Sequence, residues 1–213
     1  MAINLKNLEL INREVSSYLD AKLLIVTKKR TIEDIRILIH KGFYRFGENR
    51  VQEAKLKYSQ LSEIEQKKIE LDLIGPLQTN KVSEALELFN TIQSLDRKKL
   101  VDKILEVKNR HSNVKTKKYF IQINIGDEEQ KSGIRFNELD NFYDYCTHNE
   151  LKIEGLMCIP PNGLNPNPYF QKMLSARNKL NKKLKLSMGM SGDYVAALSK
   201  GSNLVRLGSI IFD

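Results

Sequence analysis

Eight short β-like runs alternate with helix-spaced segments, a further helix precedes the first run, and no linker interrupts them. These observations predict an α/β fold: a single (β/α)8 TIM-type barrel with an N-terminal helix completing the outer ring, residues 1–213 as one unit. Repeated strand–helix units imply a parallel sheet, because parallel strands need a crossover between them.

In chain order, residues 3–19 have apolar side chains at Leu5, Leu8, Leu10, Ile11 and Val15, predicting the leading helix. The first strand is 23–28. Ile32–His40 follows with an i, i+3 apolar set, then a strand at 44–48 and another at 71–75. Val82–Leu88 reads as helix and Thr91–Leu95 as strand. A strand at 119–125, a helix at 136–146 and a strand at 153–159 come next. Residues 162–168 are rich in Asn, Gly and Pro and read as a βα loop. The last strands are 184–188 and Leu204–Leu207, with a helix at 193–199 between them. The sequence stops a few residues after the last strand, leaving no room for an eighth helix. The N-terminal helix is therefore expected to fill that gap.

Composition excludes several classes. Apolar residues are 41% and charged residues 29%, ordinary globular usage. The longest apolar runs, such as 23–26, fall far short of the roughly 20 residues of a membrane-spanning helix. The N-terminus lacks an apolar stretch followed by a small-residue cleavage site, so a cytoplasmic protein without a secretory leader is expected. Cys146 and Cys158 are too few for a disulfide framework and read as reduced thiols. His40, His111 and His148 lie far apart, and no metal site is expected. Lys plus Arg is 35 against 26 Asp plus Glu, a formal charge of +9. The basic clusters are scattered and not interleaved with aromatics, so no specific nucleic-acid partner is expected.

One strand reveals its faces. In 119–125 the isoleucines alternate with Gln122 and Asn124. Strand side chains alternate between faces. The isoleucines should face the helices, while Gln122 and Asn124 face the lumen near the C-terminal mouth, where barrel ligands bind. They serve either a ligand or an internal polar network.

Three clusters could carry chemistry. Lys28 and Lys29 close the first strand. Desolvation and neighbouring cations depress a lysine's proton affinity, so one of the pair suits a nucleophilic amine. Alternation allows only one to face inward, and the pattern does not choose; a plain solvated strand end stays open. The second cluster, 186–193, is a strand end with Gly189, Ser191 and Gly192, where Ser191 could cap the following helix and the helix terminus could take a phosphate. The third, 204–209, is a strand end with Arg206, Gly208 and Ser209. Barrel phosphate sites often use the loops after strands 7 and 8, and these are those two loops. A lysine on strand 1 facing such a cradle suggests a phosphorylated aldehyde, pyridoxal 5′-phosphate. Arg206, placed at the pyridine nitrogen, would keep that nitrogen unprotonated.

At this point a family resemblance is carried by Leu-Leu-Ile-Val-Thr-Lys (23–28), Phe-Gly-Glu-Asn-Arg-Val-Gln-Glu (46–53), Ile-Gly-Pro-Leu-Gln-Thr-Asn-Lys (74–81) and Ser-Leu-Asp-Arg (94–97). Gln-Ile-Asn-Ile (122–125), Lys-Ser-Gly-Ile (131–134), Gly-Leu-Met-Cys-Ile-Pro (155–160), Leu-Ser-Met-Gly-Met-Ser (186–191) and Gly-Ser-Asn-Leu-Val-Arg-Leu-Gly-Ser (201–209) continue it. In this order, over nearly the whole chain, they resemble the YggS/PROSC-like pyridoxal phosphate homeostasis proteins, with their alanine-racemase-type barrel. The resemblance implies that Lys28 is the aldimine lysine and that Ser191, Gly208 and Ser209 bind phosphate. It also implies that Arg206 is the ring-nitrogen arginine and Asn49 a residue of the mouth. The family usually has Ser-Lys-Thr-Lys-Pro where this chain has 27–31, and Tyr where this chain has Arg50. Two acids often follow Met-Gly-Met-Ser, where this chain has Gly192 and Asp193, and the family usually continues past Ile-Phe.

A racemase would need a second base on the opposite face and a second domain, and eight strands use up this chain. The expectation is a cytoplasmic, monomeric pyridoxal phosphate carrier with no catalytic residues, serving pyridoxal-phosphate-dependent apo-enzymes. A small amino-acid racemase and a basic binding module are the alternatives.

Overall fold

The computed structural model describes residues 3–111 and 114–212. Its first half runs α1 (Leu5–Ser16), β1 (Lys22–Val26), α2 (Ile32–His40), β2 (Arg45–Glu48), α3 (Val51–Tyr58), α4 (Glu63–Lys68), β3 (Glu70–Leu73), α5 (Val82–Leu88), β4 (Thr91–Leu95) and α6 (Lys98–Arg110). Then come β5 (Lys118–Asn124), β6 (Ile134–Arg135), α7 (Leu139–His148), β7 (Ile153–Cys158), α8 (Asn167–Leu180), β8 (Lys185–Ser187), α9 (Tyr194–Ser199), β9 (Leu204–Leu207) and α10 (Ser209–Phe212).

Every strand pairing is parallel. The order β4-β3-β2-β1-β9-β8-β7-β5 closes on itself through β4 and β5. Eight strands thus form the predicted barrel. The two-residue β6 is extra. β4 stops opposite Ile121, and β6 then pairs Ile134 and Arg135 with Ile123 and Asn124. It covers an edge that β4 leaves open near the mouth.

The leading helix does complete the ring, over a shorter span than 3–19. Asn4 caps it by accepting the Asn7 N–H at 3.0 Å. Its buried stripe is Leu8, Ile11 and Val15. Asn4 N–H bonds the Ile211 carbonyl at 2.8 Å, and the Asn7 amide bonds Ile210 at 2.7 Å. The helix is thereby stitched to the short turn α10 that follows the last strand. Capping boxes start two others: Thr31 with Asp34, and Ser62 with Glu65.

Sidedness in β5 is as the alternation requires. Ile121, Ile123 and Ile125 join the main core between barrel and helices, while Gln122 and Asn124 line the mouth. Leu24, Phe120, Met157 and Leu204 are buried but stand apart from that core, and fill the lumen. Below them, at the N-terminal end of the barrel, Lys22, Arg45, Lys118, Glu154 and Lys185 gather, with Lys185 bonded to Glu154 at 2.5 Å. Cys146 and Cys158 are free, and burial pushes each thiol up to about 12. Among the described residues no helix is long and apolar enough to cross a membrane, and no His/Cys/Asp/Glu group could hold a metal.

Candidate ligand site at the barrel mouth

A cleft of about 610 Å³ opens at the C-terminal ends of the strands. Lys28, Asn49, Ser191, Arg206, Gly208 and Ser209, the residues named from sequence, all line it. Val26, Ile74, Ile123, Ile159 and Met190 supply apolar wall. A second hollow of about 390 Å³ adjoins it, sharing Lys28, Asn49, Gly208 and Ser209 and adding Lys29, Arg30, Arg50 and Glu53.

Lys28 is not on the strand. β1 ends at Val26, and residues 27–30 form a turn in which Arg30 N–H bonds the Thr27 carbonyl at 3.1 Å. Lys28 sits at the corner of that turn, and Lys29 takes a φ of 60° in the left-handed region. Lys28 lines the main cleft, whereas Lys29 lines only the adjoining hollow. Lys28 is exposed to the cleft, so the expected desolvation of its amine is not met in this structure. Among the described residues its amine has no partner. The cleft's other amine, Lys131, is tied to Glu128 at 2.5 Å and to the Pro160 carbonyl at 3.1 Å. Arg30 stacks on the Phe212 ring at 4.5 Å.

Arg206 is buried, and it donates to Ser187 Oγ at 2.8 Å and to the Cys158 carbonyl at 2.8 Å. Ser187 donates to Gln93 at 2.6 Å, and the Gln93 amide donates to Asp72 at 2.6 Å. Asp72 also accepts Arg45 at 2.8 Å. A line of donors thus crosses the lumen from a guanidinium at the mouth to a carboxylate near the base. Burial lowers the Arg206 guanidinium and raises the Asp72 carboxyl, the latter opposed by Arg45. Sequence reasoning missed Asp72, Gln93 and Ser187. Their signal was a polar residue within each of three short buried strands.

Ser191 does not cap α9. That position is Asp193, whose carboxylate accepts the Met190 N–H at 2.6 Å. Ser191 Oγ instead faces the other loop, 3.5 Å from the Ile210 N–H. Gln122 and Asn124 serve an internal network as well as the cleft. Gln122 donates to the Ser132 carbonyl at 3.0 Å, and Asn124 donates to Glu128 at 2.7 Å, pinning the 128–132 loop. Among the described residues Gln122 Oε1 is buried without a partner. Asn49 lies over Gly75, where a Cβ would stand 2.2 Å from the Asn49 carbonyl oxygen.

Behind Lys28 lies a charged cluster that sequence reasoning also missed. Lys57, on α3, is 7% exposed and donates to the Thr27 carbonyl at 2.7 Å, Glu48 at 2.8 Å and Glu53 at 3.3 Å. Thr27 Oγ1 donates to Glu48 at 2.7 Å, and Lys29 N–H bonds Glu53 at 2.5 Å. Burial raises the Glu48 carboxyl against the pull of Lys57 and Thr27. Burial and Glu48 push the Tyr58 hydroxyl well up. Burial also raises Glu53, but the Lys29 N–H and Lys57 outweigh it and hold that carboxyl below 4.5. A carboxyl held low adds stability that is present above its ordinary value and lost as pH falls through its folded-state value. The thermal midpoint of the native chain should therefore converge on that of Glu53→Gln as pH drops below 4.5. A constant gap down to about pH 3 would show that Glu53 is not held low.

The residues present fit a phosphorylated aromatic aldehyde. A partnerless primary amine stands on one side, two hydroxyls and bare glycine backbone on adjacent loops, a guanidinium in the wall and apolar side chains around them.

The fold is that of an alanine-racemase-type barrel. Alanine racemase of Acinetobacter baumannii aligns with a TM-score of 0.77 over 96% of this chain and 59% of that one, at 15% identity, a likeness of fold alone. The pyridoxal phosphate homeostasis protein of Aquifex aeolicus is 38% identical over 201 residues, 90% of this chain and 86% of that protein. Its counterpart in Pasteurella multocida is 39% identical over 203 residues, 90% and 85% of the two chains. The chain belongs to the pyridoxal phosphate homeostasis protein family. PipY of Synechococcus elongatus, solved without PLP, aligns with a TM-score of 0.88 at 27% identity over 98% of this chain and 99% of that one. The same protein with PLP bound aligns at 0.82 and 26%, with the same coverage. No family model matches the chain.

Proposed function

We propose that this chain binds pyridoxal 5′-phosphate reversibly at the barrel mouth and serves vitamin B6 homeostasis in the cytoplasm. It acts as one barrel and as a monomer, handing its ligand to apo-enzymes rather than turning over amino acids. The observation that carries this reading is the Lys28 amine, without a partner among the described residues, sharing one cleft with Arg206 and the two serine-bearing loops, in a member of this family. The ligand supplies an electrophilic aldehyde carbon, to which a neutral primary amine adds with loss of water. Lys28 would be the amine that holds that carbon. Ser191, Gly208 and Ser209 would hold the phosphate and Arg206 the ring nitrogen, with Asn49 at the rim. Titration with pyridoxal phosphate should give a long-wavelength absorbance at one equivalent. Incubating the loaded protein with L-alanine should release no D-alanine beyond a protein-free control containing the same ligand. D-alanine formed catalytically would instead favour a racemase.

A further inference from the structure

The cluster around Lys57 does more than fill space beside the barrel. The corner at Lys28 is flanked by two backbone groups, the Thr27 carbonyl and the Lys29 N–H. Both are held by the same charged pair on α3: Lys57 donates to the first at 2.7 Å, and Glu53 accepts the second at 2.5 Å. Lys57 and Glu53 are themselves bonded one helical turn apart. Glu48, fully buried at the end of β2, accepts a second hydrogen bond from Lys57 and also one from the Thr27 hydroxyl. The ammonium's three donors thus meet three acceptors. Between the two clamps lies Lys28, and Lys29, whose own N–H is clamped, follows at a φ of 60°, a conformation a lysine adopts only when its surroundings impose it. Released from the clamps, the 27–30 turn would relax and carry Lys28 with it.

We infer that Lys57, with Glu53, is a positioning residue for Lys28. It holds the turn so that the Lys28 amine points across the mouth at the ligand's carbonyl carbon. This rests on the assignment of Lys28 above. The consequence is selective. The noncovalent contacts proposed above for phosphate and ring come from the loop after β8, from Arg206 on β9 and from the loop after it, none of which the clamp touches. Only the covalent bond at Lys28 depends on it.

The test compares pyridoxal phosphate with pyridoxine 5′-phosphate, whose alcohol cannot condense with an amine. In Lys57→Met, affinity for pyridoxal phosphate should fall by about tenfold or more, while affinity for the alcohol changes by less than about twofold. Losing Lys57 leaves Glu48 buried without its counter-charge. Glu53→Ala therefore provides a second variant, cutting the Lys29 clamp while the Lys57–Glu48 pair stays intact. It should show the same selectivity with a smaller loss. Parallel losses for both ligands, or no change for either in Glu53→Ala and Lys57→Met, would overturn the positioning role. Lys28→Ala keeps the two ideas separate. If that variant is still labelled by pyridoxal phosphate and borohydride at the same rate, the Lys28 assignment itself fails. If the label is lost and the two ligands respond in parallel to Lys57→Met, only the positioning role fails.

Discussion

Lys28→Ala should leave a folded protein that borohydride no longer labels with pyridoxal phosphate. Lys28 is exposed in the cleft, and among the described residues its side chain makes no hydrogen bond or ion pair. Truncating a solvated side chain without partners changes stability by about 0.5 kcal/mol or less. The chemical effect should be complete, because no neighbouring amine takes its place without rearrangement. Lys131 is tethered to Glu128, Lys57 is enclosed, and Lys29 lines the adjoining hollow rather than the cleft itself. Intact mass after reduction is the measurement. One pyridoxyl phosphate adduct is expected on the native chain and none on the variant. Equal labelling of both would show that the amine lies elsewhere.

Gly75→Ala should be the most disruptive single methyl at the mouth. The added carbon would stand 2.2 Å from the Asn49 carbonyl oxygen and 2.9 Å from the Asn49 Cα and carbonyl carbon. These are backbone atoms at the junction of β2 and α3, so rotamer changes cannot relieve the clash. The segment bearing Asn49 must shift, and Asn49 with it. Overpacking of this kind costs about 1–3 kcal/mol. The urea midpoint should fall accordingly, and pyridoxal phosphate affinity should fall with it, since Gly75 and Asn49 line the same cleft. A variant with native stability would mean the junction yields more readily than its packing implies.

Much of the architecture was legible because parallel strands covered on both faces are mostly apolar and short, as 23–26 is and as 204–207 is apart from Arg206. The six mouth residues were legible because they cluster at strand ends and in motifs. Other features depend on contacts between distant segments. The line from Arg206 through Ser187 and Gln93 to Asp72 draws each member from a different strand, and no single strand reveals which polar residues meet. α4 buries none of its residues, and α3 buries a lysine, so neither has a clean apolar stripe. β6 spans two residues, too few for any periodicity, and exists because β4 stops early. The end of β1 differed from expectation for a similar reason. Thr27's hydroxyl and carbonyl are drawn towards Glu48 and Lys57, which bends the chain before Lys28.

The sealed lower half of the barrel has a consequence for traffic. Leu24, Phe120, Met157 and Leu204 plug the bore, and the charged floor of Glu154 and Lys185 lies beneath them. A guest in the cleft therefore arrives and departs through one doorway. Loading and unloading cannot proceed at opposite ends, so any recipient must contend for the rim by which the guest leaves.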